Sequence, residues 1–176
     1  MKLVSTPLAG SYVIELEPAF DERGFFARTW CREEFAAHGL NPGLSQCSLS
    51  WNKRKGTLRG MHYQDAPYQE AKLVHCSAGS IYDVILDLRP ESVTFKQWFA
   101  VELSPANHKM LYVPEGFAHG FQVLEDNSTV FYQITEAYRS ECSRGVRWND
   151  PQFKICWPIA EPILSPRDAA FPDYVR

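Results

Sequence analysis

The sequence contains no apolar run that approaches the length of a membrane span. Its first residues, Met1-Lys2-Leu3-Val4-Ser5-Thr6-Pro7, form no apolar stretch of the kind a secretory leader needs. It has no CxxC pair, and its five cysteines (Cys31, Cys47, Cys76, Cys142, Cys156) are scattered. That odd, unpaired set predicts a reduced, cytoplasmic protein whose cysteines are mostly buried fillers. Nor is there a surplus of basic residues: the net charge is −3. This balance argues against a nucleic-acid binder that works by broad phosphate neutralisation, while leaving room for a local basic site for one small anion. No internal repeat, low-complexity stretch or linker divides the chain.

What is present is apolar and aromatic. Hydrophobic residues make up 45% of 176 residues, and aromatic residues 14%. This length predicts one domain over residues 1–176, with a sizeable core that needs no staples. Most of the chain reads as short strands between turn residues. Tyr12 to Glu17 is a strand that stops at Pro18, and Asp21-Glu22-Arg23-Gly24 is a turn before Phe25-Phe26. Glu33 to His38 reads as one short helix ended by Gly39. Lys72 to Cys76 and Ile81 to Leu88 flank a turn at Ala78-Gly79-Ser80. In the second run the even positions are all apolar, while Ile81, Asp83, Ile85 and Asp87 alternate on the odd face. That odd face reads equally as the wall of a wet pocket or as solvent surface. Further strands follow at Phe95–Leu103, Met110–Val113, Gly120–Leu124 and Ser128–Thr135. Strands of this number and spacing predict an all-β sandwich or barrel, with a proline-rich tail after Trp148-Asn149-Asp150-Pro151 wrapped over it.

Two clusters carry chemistry-bearing residues. In Gly56-Thr57-Leu58-Arg59-Gly60-Met61-His62-Tyr63-Gln64, glycine within a strand pattern marks a bulge or a close approach. Arg59 offers a planar fork of donors for phosphate, and His62 can serve as a base near neutral pH. A hydrogen-bonded structural histidine explains His62 equally well on these residues alone. The second cluster, Pro114 to Phe121, places His119 near the start of a strand. His62 followed by Gln64, with Glu70 and His119 elsewhere, is an irregular version of the His-x-His…Glu…His set of metal-binding cupins, and glutamine is a poor ligand there. Lys72 shares strand parity with Val74 and Cys76, so it either snorkels to the rim or points into a pocket. Tyr132 and Asp168 read alone as a packing tyrosine and a turn residue.

Taken in order, these stretches resemble the dTDP-4-dehydrorhamnose 3,5-epimerase family. The likeness runs through Asp21-Glu22-Arg23-Gly24-Phe25-Phe26, Leu58-Arg59-Gly60-Met61-His62-Tyr63-Gln64, Lys72-Leu73-Val74 and Tyr82 to Arg89. It continues through Val113 to Phe121, Trp148-Asn149-Asp150-Pro151 and Leu164-Ser165-Pro166-Arg167-Asp168. The resemblance implies an all-β, cupin-type jelly-roll barrel with one or two short helices, a homodimer, and no metal or other cofactor. It implies a nucleotide-diphosphate 4-keto-6-deoxy sugar as substrate, in deoxysugar biosynthesis for cell-surface polysaccharides or glycosides. It gives His62 as the base, Asp168 as the carboxylate behind it, Lys72 beside the ketone oxygen and Tyr132 as the acid on the opposite face. Arg23, Gln46, Arg59, His119 and Tyr138 are the implied substrate-binding residues. A nearby Lys72 is expected to help lower the pKa of Tyr132, ordinarily ~10.

The departures from the family pattern gather at the nucleotide end: Arg28 and Ser143 stand where glutamates are usual, and Cys47-Ser48 follows Gln46. They leave open a CDP- or GDP-linked sugar, or one with a longer sugar chain. Separately, the same acid–base set fits an epimerase acting at C3 or C5 alone, and a ketoisomerase could use the same barrel. Rival readings from other classes are a metal-dependent cupin oxygenase and a sugar-binding module.

Overall fold

The structure, a computed structural model, describes residues 1–175. The strands are β1 (Lys2–Ser5), β2 (Tyr12–Glu15), β3 (Ala19–Asp21), β4 (Gly24–Phe26), β5 (Gln46–Asn52), β6 (Leu58–Gln64) and β7 (Lys72–Ala78). They continue as β8 (Ile81–Asp87), β9 (Trp98–Leu103), β10 (Lys109–Val113), β11 (Phe117–Val123), β12 (Ser128–Ile134) and β13 (Ser143–Gly145). Two short helices, α1 (Arg32–Ala37) and α2 (Pro166–Ala169), and one 3-10 turn (Ser140–Cys142) complete the regular structure. Among the described residues, no helix is long and apolar enough to cross a membrane.

The strands form two main sheets, in the manner of a jelly roll rather than a closed barrel. One runs β1-β2-β10-β7-β12-β5 and the other β13-β6-β11-β8-β9. The β3–β4 hairpin stands apart as a two-stranded ribbon. Between the main sheets lies an apolar layer that includes Val74, Cys76, Ile81, Ile85, Leu111, Phe121 and Val130. A second layer lies on the outer face of the five-stranded sheet. There Met61, Val84, Leu86, Leu88 and Ala118 pack with Phe153, and the tail residues Ile155, Trp157 and Tyr174 cover them. The proline-rich tail therefore wraps as expected. A third cluster, centred on Phe35, Tyr112 and Met110, docks α1 against the outside of the six-stranded sheet.

Several sequence expectations need correction. Both faces of β8 are dry: Asp83 and Asp87 are fully buried. The odd face is neither solvent surface nor wet wall, because Asp83 and Asp87 carry their own partners into the core. Of the cysteines only Cys76 is buried, where burial pushes its thiol up to about 11. Cys47 and Cys156 are exposed, and all five are free.

One irregularity shapes β6. Across from β11, Arg59 pairs with Phe121 and His62 with His119, so the register shifts between them. Two residues on β6, Gly60 and Met61, face the single Gly120. This is a bulge, and it reverses the strand's alternation, so that Arg59 and His62 share a face. Only glycines fit here. Gly60 has φ +138, and a Cβ on it would lie 2.5 Å from the Gly120 Cα. A Cβ on Gly120 would lie 2.8 Å from the Arg59 carbonyl oxygen.

Gly120→Ala is therefore expected to destabilise the fold by about 1–3 kcal/mol through overpacking, read as a lower urea midpoint with an unchanged slope. A second expectation concerns acid. Burial alone would raise the Asp87 carboxyl, but hydrogen bonds from Arg89, Ser92 and Thr94 hold it below its ordinary value. Its stabilisation is complete above the unfolded carboxyl range near ~4 and is lost as pH falls through the lower folded value. Asp87→Asn should lower stability at pH ~7 by about 1–3 kcal/mol and flatten the acid side of the stability–pH curve. Urea midpoints at a series of pH values measure both effects.

Candidate active site

A cavity of about 300 Å³ opens between the two sheets, lined by Ser48, Ser50, Arg59, His62, Lys72, His119, Phe121, Tyr132 and Ile134. The five-stranded sheet contributes Arg59 and His62 from β6 and His119 from β11. The six-stranded sheet contributes Ser48 and Ser50 from β5, Lys72 from β7 and Tyr132 from β12. Two roomier clefts of about 390 and 630 Å³ share Gln69 and Arg89. Arg89 is committed there to Asp87, and neither cleft holds a paired imidazole and carboxylate.

His62 is the most exposed of the paired imidazoles, with 36% of its side chain accessible. Its Nε2 lies 2.7 Å from Asp168 Oδ1. The carboxylate arrives from a distant part of the chain, on the four-residue helix α2. Ser165 caps that helix, its Oγ accepting from the Asp168 backbone N–H at 3.0 Å. Burial would raise the Asp168 carboxyl, but the bond and charge of His62, with hydrogen bonds from Ser165 and the Gly60 backbone, hold it below its ordinary value. An ionised carboxylate on Nε2 fixes the ring's tautomer and supports the imidazolium formed when Nδ1 takes a proton.

His119 forms a second, drier pair, with its Nε2 2.7 Å from Asp83 Oδ1. Asp83 is fully buried, and its other oxygen has no hydrogen-bond partner. Burial pushes this carboxyl up, opposed by the charges of His119 and Lys72. Lys72 keeps only 11% of its side chain exposed, and its Nζ lies 2.8 Å from Glu70 Oε1. It points into the cavity rather than to the rim.

Tyr132 packs edge-on to His119, with centroids 6.1 Å apart. Burial and the nearby Asp83 charge push its hydroxyl well above the ordinary tyrosine value, and only Arg59 opposes them. The expected lowering by Lys72 is overturned, since the charge of Lys72 falls on Asp83 instead. Tyr132 is consequently a neutral phenol at working pH, a form that can donate a proton.

Arg59 donates from Nε to Asn52 Oδ1 at 2.8 Å. Asn52 is buried and donates in turn to the Ser50 and Ser128 carbonyls. Gln46 and Tyr138 meet at the strand ends, where Gln46 Oε1 accepts from the Tyr138 N–H at 3.0 Å. Gln46 shares a strand face with Ser48 and Ser50, while Tyr138 is exposed. Arg23 lies elsewhere, on the turn of the exposed β3–β4 hairpin, paired with Asp21. The irregular metal set does not assemble, because His62, His119 and Glu70 are each paired to a different partner. Among the described residues, no group of three or more His, Cys, Asp or Glu side chains could hold a metal ion.

Sequence reasoning did not single out Asp83, Asn52 or Ser50 as site residues. Asp83 left one signal, a carboxylate between two isoleucines on a strand face. Ser48, Ser50 and Asn52 alternate with Cys47, Leu49 and Trp51, which marks a strand with a polar inner face.

The sequence profile of the dTDP-4-dehydrorhamnose 3,5-epimerase family matches residues 5–175. The dTDP-4-dehydrorhamnose 3,5-epimerase of Shigella flexneri is 39% identical over 169 residues, covering 96% of this chain and 93% of the relative. The crystal structure of the enzyme of that name from Elizabethkingia anophelis superposes with a TM-score of 0.96 at 40% identity, covering 99% of this chain and 96% of that one. The Bacillus anthracis enzyme, crystallised with TDP and PPi bound, gives 0.95 at 39% identity, covering 98% and 99%. With its two jelly-roll sheets, its cleft between them and these likenesses over nearly its whole length, the chain belongs to the dTDP-4-dehydrorhamnose 3,5-epimerase family and is an isomerase of the epimerase type.

Proposed function

We propose that the chain epimerises a nucleotide-diphosphate 4-keto-6-deoxy sugar at C3, C5 or both, through an enolate, in cytoplasmic deoxysugar biosynthesis. One observation carries the reading: His62 and Tyr132 face a single cavity from opposite sheets. Inversion needs a proton removed from one face of the ring and returned to the other, and this placement supplies both. The substrate's ketone makes the adjacent C–H protons acidic. His62 takes one at Nδ1, with Asp168 behind it. Charge then develops on the ketone oxygen, which Lys72 meets. An ammonium has three donors, and Glu70 uses one, so the others remain for the oxyanion. Tyr132, kept neutral by burial, returns the proton. These steps use side-chain acids and bases alone and call for no metal or cofactor.

Arg59 suits the diphosphate. Asn52 holds its Nε, which leaves both terminal nitrogens of the fork for phosphate oxygens. His119 and Gln46 complete the sugar-nucleotide contacts, and Tyr138 stacks on the base.

The same reading includes a homodimer. Phe20, Phe25 and Phe26 of the hairpin are 70%, 52% and 77% exposed. Leu49 and Trp51 are also exposed, on the outer face of the edge strand β5. Apolar surface of this extent on a hairpin and a sheet edge favours burial against a second copy. Arg23 sits at the tip of that hairpin, so it reaches a binding cavity in the partner copy rather than in its own.

In heavy water the enzyme should wash deuterium into C3, C5 or both of a keto-sugar nucleotide, followed by NMR or mass spectrometry. A panel of dTDP-, CDP- and GDP-linked ketones identifies the preferred base, and no exchange across the panel ends the epimerase reading. His62→Ala should slow exchange by about 10²–10⁴-fold. Tyr132→Phe should reduce epimerised product more than first-step exchange; equal losses would remove it as the second-face acid. Sedimentation velocity should show a dimer that Phe25→Asp converts to monomer, and a monomeric wild type would remove the partner role of Arg23.

A further inference from the structure

The tail that delivers Asp168 also delivers a second contact to His62, and β13 leaves room for it. Gly145 lies directly across from His62 in the β13–β6 pairing. Directly opposed residues share a sheet face, so a side chain at position 145 would stand against the flank of the imidazole. The ring of Phe171 stands there instead. A Cβ on Gly145 would fall 2.2, 2.3 and 2.5 Å from three of its ring carbons. The Phe171 centroid is 5.8 Å from that of His62, with an interplanar angle of 64°, an edge-to-face contact. Arg167 closes the arrangement, its guanidinium carbon 5.7 Å from the Phe171 centroid and its Nη2 donating to Ser143 Oγ at 2.7 Å.

A helix as short as α2 has no stability of its own, so tertiary contacts must set its place. Asp168 must nonetheless be held within hydrogen-bond line of an imidazole that turns about its own side-chain bonds. We propose that Phe171 is a positioning residue for the His62–Asp168 pair, seated in the space that Gly145 leaves beside the imidazole. Phe171 blocks rotation of the His62 ring on one flank. Through Arg167 and Ser143, the same segment is tied to the strand that pairs with His62. This inference rests on the reading of His62 as the base.

The test joins kinetics with the imidazole ¹⁵N shifts of His62 in the ligand-free, full-length protein. In the wild type those shifts should report Nε2–H, and Asp168→Asn gives the reference for the lost bond. Phe171→Ala should move the shifts toward that reference and lower kcat for exchange by about 10-fold or more, with KM within about twofold. Phe171→Leu refills the space and should restore both; Phe171→Val should fall between. Gly145→Ala, which drives a methyl into the ring, should reproduce Phe171→Ala. Wild-type shifts and kcat in Phe171→Ala, or a loss confined to KM, would overturn the proposal. If Phe171→Ala loses its fold, wild-type values in Phe171→Val do the same. The ¹⁵N shifts need no substrate, so they judge Phe171 even where the wild type exchanges no ketone and the functional reading fails.

Discussion

At Gly60 two residues of β6 face one residue of β11, and the alternation of the strand changes sense. The rest of the site depends on this. A regular strand would send Arg59 and His62 to opposite faces, one into the cavity and the other into the apolar layer beneath the tail. The bulge turns both inward and sends Met61 outward, where it is fully buried under the tail. It exists because two glycines meet backbone to backbone, at a separation no side chain tolerates. An arginine fork and an imidazole thus come from one strand and line one cavity.

The site also uses one residue pairing in two environments. Asp168 receives donors from His62, Ser165 and the Gly60 backbone, and it stays ionised beside a part-exposed imidazole. Asp83 sits in the dry layer with one oxygen unpartnered, so burial dominates its acidity. The first pair leaves its imidazole open to the cavity. The second fixes a ring in place, and its charge also discourages ionisation of Tyr132. Environments that push neighbouring titratable groups apart give an acid and a base at one pH.

Much of the fold was legible in the sequence, for a physical reason. Strands β11 and β12 send Phe117, Phe121, Val123 and Val130 into the layer between the sheets, while β8 buries both faces, Ile81 and Ile85 inward and Val84 and Leu86 under the tail. Strand β5 was missed because its pattern is inverted: Leu49 and Trp51 face out, while Ser48 and Ser50 face the cavity. Lys72 kept the parity expected of it, and its burial follows from that parity. The bulge left a trace in Gly60, but the resulting change of face for His62 depends on pairing with β11, which no local pattern encodes. Asp168 is 106 positions from His62, so only resemblance could join them. The nearness of Lys72 to Tyr132 was implied by the resemblance alone, and in the structure Lys72 pairs with Glu70 while its charge acts on Asp83.

The placement of Asp168 has a consequence for how the enzyme is made. Every strand of both sheets lies before residue 146, and the carboxylate paired to His62 comes after them. A ribosome therefore emits the whole scaffold, including His62, before it emits the group that sets the imidazole's tautomer. A nascent chain, or one cut short by a premature stop, lacks both that carboxylate and the tail residues that cover Met61, Val84 and Leu86. The same docking step therefore brings the carboxylate to His62 and closes the apolar outer face of the five-stranded sheet.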